Sequence, residues 1–206
     1  MPPSNRPRGS YKKSETSRRQ VLEAAVRALA KGGYANTSVS DIARAAGMSK
    51  GAVHYHFESK DDLIGKVLEH CARVTSERVR VAWDAPEHPA EKIRRVVSEM
   101  RDMRKEEVPE LRVLADLAAQ GLHDARLRMM LGRIFATNHR QMVDYLSASI
   151  ATMGVKSKVP VHIVPRLLLG TLDGLAMHDY FDPPEPGDDV AMERVLETIG
   201  FFMFEI

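Results

Sequence analysis

From about Glu15 onward the apolar residues recur at three- and four-residue intervals in almost every segment, and the period-two alternation of a half-buried strand is sustained nowhere. A chain so patterned folds as helices packed on helices. The first stripe is Val21, Leu22, Ala25, Val26 and Leu29, opening near Ser14 or Ser17 and stopping at Gly32-Gly33. Later stripes are Leu63, Ile64, Val67, Leu68 and Cys71, then Ile93, Val96, Val97 and Met100, then Leu111, Leu114, Leu117 and Ala118. A long helix from Asp124 to Met153 follows, ending at Gly154, and two more span residues 160–180 and 189–205. Pro86, Pro89, Pro109 and Pro160 punctuate these segments, and Pro183, Pro184, Pro186 and Gly187 mark a loop between the last two helices. The expected fold is all α with about nine helices: a three-helix head followed by a larger helical body.

Charge divides the chain in the same place. The net charge is only +2, yet residues 1–60 hold 11 Lys/Arg against 4 Asp/Glu, leaving 19 against 24 for the rest. A basic head of +7 suits a polyanion, and an acidic body of −5 does not. Six of those eleven cations lie in residues 1–20, so residues 1–13 are expected to form a flexible basic arm. That stretch has no apolar run of the kind a secretory signal needs, and no segment approaches the roughly 18 apolar residues of a membrane span. With a single cysteine, Cys71, neither an internal disulfide nor a cysteine zinc cluster can form, and a cytoplasmic location fits.

Within the head, Thr37 to Phe57 has the grammar of two short helices joined by a tight turn. Ser38 caps a helix whose third position is Asp41, and Val39, Ile42, Ala43 and Ala46 fall on its buried side. Gly47 ends that helix, Met48 points inward, and Ser49 caps the next. On a helical wheel the second helix presents Lys50, Gly51, His54 and Tyr55 on one half and Ala52, Val53, His56 and Phe57 on the other. Lys50 can meet a phosphate or a guanine edge, Gly51 lets the backbone come close, and His54 and Tyr55 can bond phosphates or stack on thymine methyls. Ser59 to Asp62 forms a further capping box that leaves Lys60 exposed as a phosphate ligand. Candidate DNA-contacting residues are therefore Thr37, Ser38, Ser49, Lys50, Gly51, Ala52, His54, Tyr55 and Lys60.

The segments 39–51, Tyr55-His-Phe57 and Lys60-Asp-Asp-Leu63 resemble the signature of the TetR family of transcriptional regulators, over about residues 14–73. The resemblance implies a DNA-binding domain at 14–74 with its motif at 38–57, a recognition helix from Lys50 to Phe57, and phosphate contacts at Thr37, Tyr55 and Lys60. His54 stands where the family most often has tyrosine, which implies a shorter or pH-sensitive contact there. It also implies that residues 75–206 bind a small-molecule effector and join two subunits, so that double-stranded operator DNA, a second copy and an effector are the partners.

The residues of the body point the same way on dimerisation. Met192, Val195, Leu196, Ile199, Phe202, Met203 and Ile206 form a terminal stripe too apolar for one monomer to cover, and Gly170 and Gly174 allow close helix approach. Such a dimer would set two recognition helices roughly 34–36 Å apart, or a multiple of that, over a palindromic operator. Candidate pocket residues are Met100, Met103, Leu114, Leu117, Met130, Ile134, Asn138, His139, Met142 and Tyr145, with His178 near the interface. Methionines at helical spacing are equally ordinary core. No catalytic, metal or cofactor motif is present: Glu-x-x-His pairs, His-Glu-x-x-His, Gly-x-Ser-x-Gly and the phosphate-binding glycine loop are all missing. The sequence thus favours a ligand-responsive regulator, a repressor released by its effector. An effectorless architectural DNA binder and, further off, an α-helical enzyme remain the alternatives, and an enclosed pocket of a few hundred cubic ångströms would separate the first two.

Overall fold

The computed structural model describes residues 8–84 and 88–205, with side chains from residue 14. Nine helices are present among them: α1 (Arg8–Gly32), α2 (Val39–Ala45), α3 (Lys50–His56), α4 (Lys60–Asp84), α5 (Pro89–Lys105), α6 (Pro109–Gly121), α7 (Ala125–Met153), α8 (Ile163–Phe181) and α9 (Asp188–Met203). The first begins at Arg8, so part of the expected arm is helical backbone, and residues 1–7 of that arm lie outside the described residues. Pro86 and Ile206 lie outside them too. No helix among the described residues is long and apolar enough to cross a membrane.

Two compact units divide the chain, Met1–Cys71 and Ala72–Ile206, and the division falls inside α4. In the first, Val21, Ala25 and Leu29 of α1 are buried with Ile42 of α2, Val53 of α3 and Leu63 and Val67 of α4. Cys71 is a buried apolar position at the end of that stripe.

The second unit has its own core, in which Val79 and Trp83 of α4 join Ile93, Val96 and Met100 of α5, Leu146 and Ile150 of α7, and Met203 and Phe204. The all-α expectation misses one small feature: Lys156–Ser157 and Phe204–Glu205 pair antiparallel as two-residue strands, with Lys156 opposite Glu205. Opposite charges face each other in that register, and the chain leaves α9 two residues earlier than its stripe suggests.

Helices α5 and α9 run past each other along a row of ion pairs: Arg94 with Glu197 (3.7 Å), Arg101 with Glu193, and Lys105 with Asp189. Arg104 of α5, nearly buried, adds a pair to Asp179 of α8 at 2.7 Å. The approach of α9 is close because Gly200 has no side chain; a Cβ there would lie 2.5 Å from Ile93 Cγ2. Gly200→Ala gains about 1 kcal/mol of helix propensity but overpacks a branched, buried side chain at a cost of about 1–3 kcal/mol. Thermal melts should show a loss of about 2–4 °C, and a rise instead would mean that Ile93 yields freely.

Candidate nucleic-acid interface and effector cavity

The turn between α2 and α3 is built by backbone chemistry that few residues permit. Ser38 Oγ accepts the Asp41 amide at 3.2 Å while the Asp41 carboxylate accepts the Ser38 amide at 3.1 Å, closing a reciprocal capping box. Those bonds from the Ser38 hydroxyl and amide, with Arg44 nearby, hold the Asp41 carboxyl below its ordinary range. Gly47 turns at φ +64°, a left-handed conformation that lets its amide reach the Arg44 carbonyl (3.1 Å) and the Met48 amide reach that of Ala43 (2.9 Å). Ser49 then caps α3 by accepting the Ala52 amide at 3.1 Å. From α1, Gln20 Nε2 donates to the Ala46 carbonyl (2.8 Å) and ties the first helix to the turn.

That frame buries Val53 and Phe57 and leaves Lys50, Gly51, His54 and Tyr55 in solvent, Tyr55 at 74% exposure. An aromatic side chain so exposed contributes nothing to a core. Ser38 and Ser49 are exposed but hold their caps, and Ala52 is half-buried at the edge of the face.

Two candidates are not the loose surface groups the sequence suggested. Thr37 is only 4% exposed, and its hydroxyl donates to the Gly33 carbonyl at 2.7 Å, so the side chain fastens the end of α1 to the start of α2. Lys60 is half-buried, with Nζ 4.4 Å from the centre of the Tyr34 ring and 3.4 Å from the Tyr34 carbonyl. The capping box around it is also shifted, since Ser59 Oγ accepts the Asp62 amide (3.1 Å) while the Asp62 carboxylate takes the amide of Glu58 (3.1 Å). Lys60→Ala should weaken binding to every DNA sequence alike and reduce the salt slope by about 1, with a small loss of head stability from the vacated Tyr34 face. Unchanged salt dependence would remove Lys60 from the interface.

In the second unit α4, α5, α7, α8, α9 and Phe204 line a partly open cavity of about 160 Å³. Of the eleven pocket candidates it gathers three, Asn138, Met142 and Tyr145. Met100 and Met103 are instead packed solidly into the core, and Leu114 and Leu117 are buried in α6 outside the cavity walls. Met130 and Ile134 sit half-buried farther up α7, His139 faces the His162 carbonyl (Nε2 to O, 2.7 Å), and His178 is exposed on α8. The walls that sequence reasoning missed are Val79 and Trp83 of α4, Ile93 of α5, Val164 and Leu168 of α8, and Phe204. Trp83 is the only tryptophan in the chain and continues the α4 stripe past Cys71, which was the available signal.

The cavity's solvent side is polar. Arg73, Glu77 and Arg80 follow one another along one face of α4, and Asn138 and Gln141 stand on α7. Arg80 pairs with Glu77 (2.6 Å) and with Asp84, the Glu77 bond first among the influences that raise its pKa and lower that of Glu77. Asn138 Nδ2 donates to Ser76 Oγ (2.6 Å), Ser76 donates to the Ala72 carbonyl (2.6 Å), and Tyr145 donates its hydroxyl to Asp84.

On α8, Ile163, Leu167, Gly170, Gly174, Met177 and Phe181 recur at intervals of four and three, all exposed except the half-buried Gly174. A Cβ added at Gly170 or Gly174 would meet nothing within 4 Å. On α9, Val195, Ile199 and Phe202 are exposed and Met192 is half-buried, whereas Leu196 packs against the core and Met203, at 6% exposure, belongs to it. The expected interface stripe is therefore narrower than the sequence suggested: Leu196 and Met203 turn inward to their own subunit.

A capped helix-turn-helix with a polar, aromatic outer face, in a chain whose other unit holds a small apolar cavity, defines a DNA-binding transcriptional regulator. Comparisons agree over both units: residues 21–67 match the model of bacterial regulatory proteins of the tetR family, and residues 89–200 match that of the BetI-type transcriptional repressor C-terminal domain. The chain belongs to the TetR family of bacterial regulatory proteins. Among curated relatives it is 25% identical to the regulator PksA of Bacillus subtilis, over 90% of this chain and 89% of that one. It is 29% identical to BetI of Burkholderia ambifaria, over 66% of this chain and 69% of that one. A TetR-family regulator from Rhodococcus sp. shares the fold with a TM-score of 0.75 at 22% identity, covering 91% of this chain and 99% of the other. The transcriptional regulator FadR of Bacillus subtilis, solved in complex with stearoyl-CoA, does so at 0.68 and 21%, covering 88% and 96%.

Proposed function

We propose that this regulator is a cytoplasmic repressor that binds a palindromic operator as a homodimer and releases it when a small molecule fills the cavity of its second unit. The observation that carries the proposal is the cavity itself, a partly open apolar hollow of about 160 Å³, smaller than the enclosed pocket of a few hundred cubic ångströms expected of a sensor. A purely architectural protein gains nothing from such a void, which forfeits packing energy. Val79 and Trp83 in its wall belong to α4, the helix whose first residues carry Lys60, so a ligand that displaces α4 acts on an element continuous with the DNA-binding unit. A coupling of about 1–3 kcal/mol gives a 5- to 150-fold change in operator affinity.

The DNA contacts are Lys50, Gly51, His54 and Tyr55 from α3, with Lys60 at a phosphate and Ser38, Ser49, Ala52 and the Thr37 backbone lining the approach. The second copy covers the α8 and α9 seam, where Gly170 and Gly174 let helices meet closely. Fold relatives give precedent, since FadR of Bacillus subtilis holds an acyl-CoA; a cavity of about 160 Å³ calls for a far smaller molecule. No covalent chemistry is involved. A thermal-shift screen of small molecules, with each stabilising compound then tested for release of the protein from its own upstream DNA, is the direct test. A compound that binds in the body and lowers operator affinity supports the repressor reading; stabilising compounds that all leave operator affinity untouched sink it.

A further inference from the structure

Taking the cavity as the effector site, we infer that the effector is a small organic acid, with an apolar body about the size of one aromatic ring and a single carboxylate held at the rim by Arg73 and Arg80. Size comes first. A cavity of about 160 Å³ matches the roughly 150 Å³ apolar holes that accept benzene, so a ring fills it and a long acyl chain does not. Its deep walls, among them Val79, Ile93, Val96, Leu146 and Val164, are buried and offer nothing polar, which dictates an apolar body.

Charge then decides the head group. A cation would ordinarily be drawn to the aromatic rings of such a wall. Here the two most suitable rings already carry protein cations: the Arg80 guanidinium lies 5.6 Å from the Tyr145 centroid and the Lys92 ammonium 5.9 Å from that of Trp83. A ligand cation would enter beside Arg73 and Arg80, which both line the cavity. Against them stand Glu77 and Asp84, both already bonded to Arg80, and Asp84 also accepts the Tyr145 hydroxyl. Of the charged side chains that line the cavity two are cationic, Arg73 and Arg80, and one is anionic, Glu77. A ligand carboxylate can share or replace Glu77 at Arg80 without leaving a guanidinium unpaired, because the bond it competes with is solvent-exposed at 40% and 49% on its two side chains.

The full-length protein is titrated by calorimetry with three matched probes, phenylacetate, phenylacetamide and phenethylamine, and with stearate, and each is also tested for release of operator DNA. Phenylacetate should bind about tenfold more tightly than the amide, equivalent to about 1.4 kcal/mol. The amine should bind more weakly than the amide, and stearate should not bind. Arg80→Gln should erase the advantage of the acid over the amide, and Glu77→Gln should enlarge it; a variant that merely loosened the fold would shift acid and amide together. Equal or tighter binding of the amide, the amine or stearate overturns the inference, as does binding of none of the probes. Acid-selective binding without operator release would uphold the ligand chemistry while refuting the effector reading on which it rests.

Discussion

Replacing both Lys50 and Tyr55 with alanine will lower operator affinity by at least about a hundredfold while leaving the protein folded. Each side chain at a phosphate or base edge is worth about 1–3 kcal/mol, and the two lie on the same exposed half of α3. Neither belongs to the core of the head, and the Tyr55 ring meets that of its neighbour His56 edge-on. Tyr55 is 74% exposed, and the residues that anchor α3 are Val53 and Phe57 on its other side. Fluorescence anisotropy with labelled operator measures the loss, and circular dichroism melts should coincide with those of the parent. Unaltered affinity would move the interface elsewhere, and a collapsed melt would mean that the faces of α3 are reversed.

Phe202→Asp should convert the proposed dimer to monomers at micromolar concentration in sedimentation experiments and remove most operator affinity, because one head alone meets only half of a palindrome. Phe202 is 73% exposed in the single chain, so a carboxylate there costs the monomer little. In a dimer seam it would be desolvated without a partner, a penalty of several kcal/mol. Met203→Asp provides the contrast: Met203 is 6% exposed within the core, and that variant should fail to fold instead. A dimeric Phe202→Asp protein would place the interface off α9.

The neighbouring pair 202 and 203 also shows where sequence stops being informative. Adjacent helical residues lie about 100° apart, so both fit one apolar stripe. Only the partner helix decides between them, and that partner is α5, whose Arg101 and Lys105 draw Glu193 and Asp189 toward it and Met203 into the core. The head was more legible because its structure is set locally: Ser38, Asp41, Gly47 and Ser49 act on backbone within a few residues of themselves. A cavity is the opposite case, an absence shared by five helices. Met100 and Met103 have the composition of pocket lining yet are packed solid, and Trp83, which lines the hollow, was marked only by its size and its place on the α4 stripe.

The ion-pair row between α5 and α9 has a hidden degeneracy. Its acids fall at 189, 193 and 197, one helical turn apart, and two of its bases fall at 101 and 105 with the same spacing. If α9 slid by one turn, Glu197 would meet Arg101 and Glu193 would meet Lys105, and two of the three pairs would be restored. Charge alone therefore makes this helix a ratchet with nearly equivalent teeth. The pawl is Gly200: the same slide would bring Phe204, four residues on, to its place, and a phenylalanine brought against Ile93 has no room at a site where even a Cβ would stand at 2.5 Å.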